Sequence, residues 1–160
     1  MIVSQNIKFV VDNVLSSQVL SLESQDLPNT FISCPSSPSL LLGIKLPILV
    51  LLVRNISKPF SFEVETLDEY DVVHRFRSST YQKKTRIDND IATMPLRMED
   101  GWNQIVIDLN DLSRQCYGSK LKQTNRIIIH PNIFIRRVYF SSEIPIESQI
   151  PADLRLYCPE

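Results

Sequence analysis

Arg75, Arg77, Lys83, Lys84 and Arg86 follow one another with no acid between them, directly after a segment crowded with Glu63, Glu65, Asp68, Glu69 and Asp71. Guanidinium groups two residues apart on a strand project from the same face, and an exposed pair of them holds carboxylates bidentately. That chemistry suits an acidic protein surface. The plainer alternative is that the acidic and basic runs solubilise two faces or pair across a hairpin, where each exposed pair contributes only about 0.2–1 kcal/mol. Arg136 and Arg137, within IFIRRVYFS, are a second cationic site. As neighbours on a strand they are expected to point to opposite sides, so that one of them is paired or interfacial.

Other chemistries find less to work with. The chain has two histidines, His74 and His130, and neither lies in a motif that joins a nucleophile, a base and an orienting carboxylate. His130 precedes Pro131 and reads as a strand-end residue bonded to backbone. Glu99-Asp100 precedes Gly101 and reads as a solvated turn, not an acid–base pair. Asp88-Asn89-Asp90 lacks the glycine and distal glutamate of a calcium loop, and the scattered His and Cys lack metal-ligand spacing, so no metal and no cofactor are expected. Trp102, the sole tryptophan, could stack on a sugar, although beside a turn it reads more simply as a packing residue. Single-stranded RNA binding would need paired sheet aromatics and a basic balance, which are lacking.

Seventeen Lys and Arg against 18 Asp and Glu leave a net charge of −1, so recognition must come from local patches and not from a global field toward nucleic acid or membrane. With three Gly, few positions are left for phosphate-cradling loops. Cys34, Cys116 and Cys158 are odd in number and widely spaced, which fits a reducing compartment better than a disulfide framework. The opening MIVSQNIKFVVDNVL has one Lys, no small-residue cleavage site and an interrupting Asp12-Asn13, unlike a secretory signal. Leu40 to Val53 is too short for a bilayer, which takes about 20 residues, and is expected to be a buried strand.

The elements that must position these groups are mostly strands. Trp102 to Leu109 alternates, with Asn103, Ile105, Ile107 and Leu109 as the likelier core side. Asn110 or Asp111 should then cap a helix running near 110–117, which Gly118 ends in the left-handed conformation. Ser16 to Glu23 and Asn29 to Cys34 read as short strands, and Ile48 to Ile56 as one apolar on both faces. Phe60 to Glu65 alternates strictly, with Phe60, Phe62 and Val64 inward. Asp68-Glu69-Tyr70-Asp71 turns into a partner at Val72 to Ser78, and Lys83 to Ile87 and Ala92 to Met98 are further short strands. Thr124 to His130 and Ile133 to Ser141, joined by Pro131-Asn132, are expected to pair as an antiparallel hairpin. Glu147 to Ile150 suits a helical turn and Leu154 to Cys158 a closing strand. The pattern predicts a mainly β, jelly-roll-like antiparallel sandwich, one domain over 1–160, with one short helix; at this length about 70% of the chain's surface is buried.

Four blocks also resemble a known family. GIKLP (Gly43 to Pro47), RFRSSTYQ (Arg75 to Gln82), MPLRMEDGWNQ (Met94 to Gln104) and RRVYFS (Arg136 to Ser141) are similar, in order, to blocks of the cilia- and flagella-associated protein twenty family, over about Asn6 to Pro159. The resemblance implies a non-enzymatic β-sandwich component of the ciliary axoneme and basal body, at the inner junction of doublet microtubules. It implies tubulin and a neighbouring junction protein as partners, support of beating and of tubulin polyglutamylation, and occurrence at centrioles and in nuclei. Members carry an N-terminal segment of a few tens of residues with no counterpart here, which leaves the sandwich edge near Ser16 in question. They are also generally more basic: Val73, His74, Asp88-Asn89-Asp90 and Phe134 stand where basic residues are usual. Contacts are expected at Arg75, Arg77, Lys83, Lys84, Arg86, Arg136 and Arg137. The competing reading is a carbohydrate- or other ligand-binding sandwich, which would need an exposed Trp102 on a concave face.

Overall fold

The computed structural model describes residues 7–146. The expected turn at Glu147 to Ile150 and strand at Leu154 to Cys158 lie outside the described residues. Eleven strands and one helix run in the order β1 (Ile7–Asp12), β2 (Ser17–Leu22), β3 (Ile32–Cys34), β4 (Ile48–Asn55), β5 (Ser61–Asp68), β6 (Val73–Ser79), β7 (Arg86–Ile87), β8 (Ile91–Pro95), β9 (Gly101–Asp108), α1 (Leu109–Tyr117), β10 (Leu121–Ile129) and β11 (Ile133–Ser141). They form a five-stranded sheet, β1-β2-β11-β4-β9, facing a six-stranded sheet, β3-β10-β5-β6-β8-β7. All pairings are antiparallel except β6 with β8. The mainly β sandwich with one short helix is as the periodicity predicts, and β1 occupies the edge beside Ser16.

The core follows from two sequence patterns. Leu49, Leu51 and Val53 of β4 meet Phe62 and Val64 of β5 and Ile127 and Ile129 of β10, all essentially buried. The alternate residues Ile48, Val50 and Leu52 are also buried, on the other side, against Tyr139. The strand apolar on both faces is therefore covered on both. On β9, Ile105 and Ile107 pack toward the core while Gln104 and Val106 are exposed, as expected.

Several expectations are corrected. β10 and β11 do not form a hairpin: β10 pairs with β3 and β5, and β11 with β2 and β4, so Pro131-Asn132 is a corner between sheets. The turn chemistry is the same in both arrangements, and only the long-range partners differ. The helix cap is Asp108, whose carboxylate accepts the Asp111 amide at 3.0 Å; Asn110 instead accepts the Leu121 amide, and Gly118 ends the helix at φ 69° as predicted. Lys83 to Ile87 contributes only two strand residues, Ala92 to Met98 yields Ile91–Pro95, and Asn29 to Cys34 yields Ile32–Cys34. Leu40 and Leu41 are exposed, so the buried strand begins only at Ile48.

The alternation assumed for Arg136 and Arg137 also fails. The ladder with β4 shifts between Ile135 and Arg137, and Ile135 and Val138, three residues apart, both pack on the core. A β-bulge at Arg136 breaks the period of two, so neither arginine is forced inward. Leu51→Ala should cost about 2–5 kcal/mol by cavity formation, and Asp108→Ala about 0.5–2 kcal/mol with Asp108→Asn far milder. Urea midpoints at neutral pH check both, and equal effects of the two Asp108 variants would remove the capping explanation.

Candidate functional surface

The outer side of the six-stranded sheet is set by register. Across it, Ser33, Ile128, Glu63, Arg77, Thr93 and Arg86 form one row, and Arg126, Glu65, Arg75 and Ile91 the next. Acidic and basic runs adjacent in sequence thus become cross-strand neighbours, Glu63 opposite Arg77 and Glu65 opposite Arg75. The match is loose. Arg77 Nε is 4.0 Å from Glu63, and its Nη2 donates to the Tyr81 hydroxyl at 2.7 Å while the guanidinium lies over that ring at 5.9 Å. Arg75 is exposed and has no ion pair among the described residues. Arg86 holds Asp88 at 3.2 Å with both side chains well exposed, a pair worth at most about 1 kcal/mol. Lys83 and Lys84 sit on the exposed loop between β6 and β7.

Arg126 shares this face and was not singled out from the sequence. Its guanidinium donates to Ser33 Oγ and to the carbonyls of Pro35, Ser37, Pro38 and Leu40, so it holds the 35–40 loop and has little left for a partner. No local signal marks it, because its role depends on a loop about ninety residues earlier in the chain. Arg136 and Arg137 lie on β11, in the other sheet, so the seven expected contact residues divide between two sides of the sandwich. Phe134 lies under the Arg54 guanidinium at 5.9 Å.

The histidines are structural. His74 Nε2 meets Asp68 Oδ2 at 2.7 Å, both buried, and the imidazole stacks on Tyr117 with centroids 4.0 Å apart. Burial would raise the Asp68 carboxyl from its usual 3.8, but the Val72 amide, His74, Ser119 and the Tyr70 amide outweigh it and hold it at about 2. The pair closes the β5–β6 turn against α1. His130 lines a shallow depression with Glu63, Arg77 and Tyr81, yet its Nδ1 faces the Leu27 carbonyl at 3.4 Å and its amide donates to Ser61, as expected of a strand-end residue. No hydrogen bond links its imidazole to a serine hydroxyl or a carboxylate among the described residues.

Trp102 is buried and donates from Nε1 to Asp12 at 3.1 Å, which takes away the stacking face that a sugar site would need. Asp12 also pairs with Arg54 and accepts the Val14 and Leu15 amides, so it pins the β1–β2 hairpin to the outer side of the five-stranded sheet. Desolvation pushes its carboxyl up, and the Leu15 amide, Trp102 and Arg54 bring it below the usual value. No group of three His, Cys, Asp or Glu side chains converges as metal ligands among the described residues, and no described helix is long and apolar enough to cross a membrane.

Fold and surface together define a mainly β, two-sheet sandwich that carries arginines on both of its sheets. The chain belongs to the CFA20 domain family, whose profile matches residues 2–158. It is 45% identical over 154 residues to the cilia- and flagella-associated protein 20 of Chlamydomonas reinhardtii, covering 96% of this chain and 81% of that one. The proteins of the same name from Caenorhabditis elegans and Paramecium tetraurelia are 44% and 42% identical over the same length, with 76% and 81% of their chains covered. The resemblance carried by the four blocks is thus confirmed at the level of the family.

The two lowered carboxyls contribute to the acid limb of stability. A group whose folded pKa lies below its unfolded value stabilises fully above the unfolded value and loses that contribution as pH falls toward the folded one. For Asp68 the window runs from about pH 4 down to about pH 2, on the order of 2 kcal/mol. Asp68→Asn should therefore destabilise at pH 7, flatten the decline below pH 4 and leave stability at pH 2 little changed. Urea midpoints across that range test this, and an unchanged acid slope would discard the assignment.

Proposed function

We propose that this chain is a non-enzymatic structural protein of cilia and flagella that binds microtubules through one face of its sandwich and a neighbouring junction protein through the other. The observation that carries the reading is the division of the arginines. Arg75, Arg77 and Arg86, with Lys83 and Lys84 at the edge, lie on the outer side of one sheet, and Arg136 and Arg137 lie on the other sheet. One rigid sandwich can then bridge two surfaces at once. The first face suits tubulin, whose surface is acidic: guanidiniums held only loosely by Glu63 and Glu65 can be recruited to external carboxylates. Each contact is weak, and repetition along a polymer accumulates them. The family relation and the names of its members support a place in cilia and flagella; placement in the axoneme and basal body at the inner junction, support of beating and of tubulin polyglutamylation, and presence at centrioles and in nuclei are part of the proposal.

Co-sedimentation of the purified chain with taxol-stabilised microtubules at low and moderate salt tests the first face. Pelleting should weaken as salt shortens the screening length to about 8–10 Å. Arg75→Gln/Arg77→Gln should lower it several-fold, and Arg136→Gln/Arg137→Gln should leave it nearly unchanged. Circular dichroism confirms that the variants fold. Salt-independent pelleting, or equal loss in both pairs, counts against this face as the microtubule contact.

A further inference from the structure

The edges of the two sheets are not protected alike. β3 and β7 are three and two residues long, and β1 carries Lys8, so each has one of the usual defences against adding a strand. β9 has none. It pairs with β4 over eight consecutive residues, Gly101 to Asp108, without a register shift, and between those ends it contains neither lysine nor proline. Its other edge has no described neighbour, and among the described residues its backbone makes no hydrogen bond to another element outside the ladder with β4; the Gly101 carbonyl accepts only from β9's own Asn103 side chain at 2.9 Å. A row of unpaired main-chain donors and acceptors on a straight strand is a template for another strand.

The space beside that edge has a definite character. A cleft of about 320 Å³ separates β9 from the end of β8, lined by Met94, Leu96, Ile105 and Ile107, with Asp108 and Asp111 at one end. Leu96, Ile105 and Ile107 belong to the main core yet remain only partly buried, so the core is incompletely covered along this seam. Side chains of an added strand opposite Ile105 and Ile107 would share their side of the sheet and enter the cleft. Asp108 and Asp111 accept only a helix amide and the Gln115 amide, and neither has an ion pair among the described residues. They favour a cation at the matching end of the occupant.

We propose that β9 is a docking edge for an extended segment of a partner protein, apolar at alternate positions and basic at the end that meets Asp108 and Asp111. The proposal does not depend on the microtubule reading. Amide hydrogen exchange on the isotope-labelled full chain tests it, with a soluble seven-residue peptide that alternates valine and threonine and ends in lysine as the probe. In the free chain the amides of Gln104 to Ile107 that point away from β4 should exchange rapidly. Saturating peptide should slow them at least tenfold, the same peptide N-methylated at alternate residues should not, and Asp111→Asn should weaken the effect several-fold at low salt. Three results would overturn the proposal: no slowing at β9, slowing confined to β1, or β9 amides already as protected in the free chain as those of β4. The last would assign the edge to the chain's own residues.

Discussion

Burying β4 on both faces is the constraint on which the rest of the structure depends. Leu49 to Val53 are all fully buried, and at about 1.5–3 kcal/mol per buried aliphatic side chain this strand dominates the driving force of its sheet. A strand apolar on both sides cannot sit on a solvated sheet, so it takes an interior place, with β9 and β11 on its flanks and a layer above and below. One layer is the six-stranded sheet. Tyr139 contributes to the other, and the Asp12–Arg54–Trp102 cluster ties the hairpin to that side.

The outer face of the six-stranded sheet is shaped by the same economy of register. Alternation that sends Phe62, Val64 and Phe76 inward sends Glu63, Glu65, Arg75 and Arg77 outward. Direct cross-strand opposition then neutralises part of the charge locally. Arg126 is consumed by backbone carbonyls, so the face owes its availability to Arg75 and to the loosely paired Arg77 and Arg86. Charge reversal on such a face would crowd four carboxylates together, which makes neutral glutamine the informative replacement.

What the sequence disclosed follows from the range of each interaction. β5, β4 and β9 were legible because their faces are defined by their own residues, and α1 because its end is marked by a local glycine. The β10–β11 pairing is not legible because a proline-asparagine turn serves a hairpin and a corner equally well, and partner choice lies more than fifty residues away in β4 and β5. The bulge at Arg136 left no mark in composition, yet it decides how two arginines are presented. Arg75 and Arg77 were legible as a pair, whereas their separation from Arg136 and Arg137 required the sheet order.

The corner between β10 and β11 has a mechanical meaning. The chain passes from one sheet to the other several times at this end of the sandwich, among them from β2 to β3, from β4 to β5 and from β10 to β11. Asn132, in the last of these crossings, fastens it to the other two: its backbone and side-chain amides donate to the Pro59 carbonyl, and its side-chain oxygen accepts the Ser24 amide. A force that slides one sheet over the other must therefore strain several short links together instead of peeling them one at a time. Shear stiffness at that end is what a small block seated between bending filaments would require.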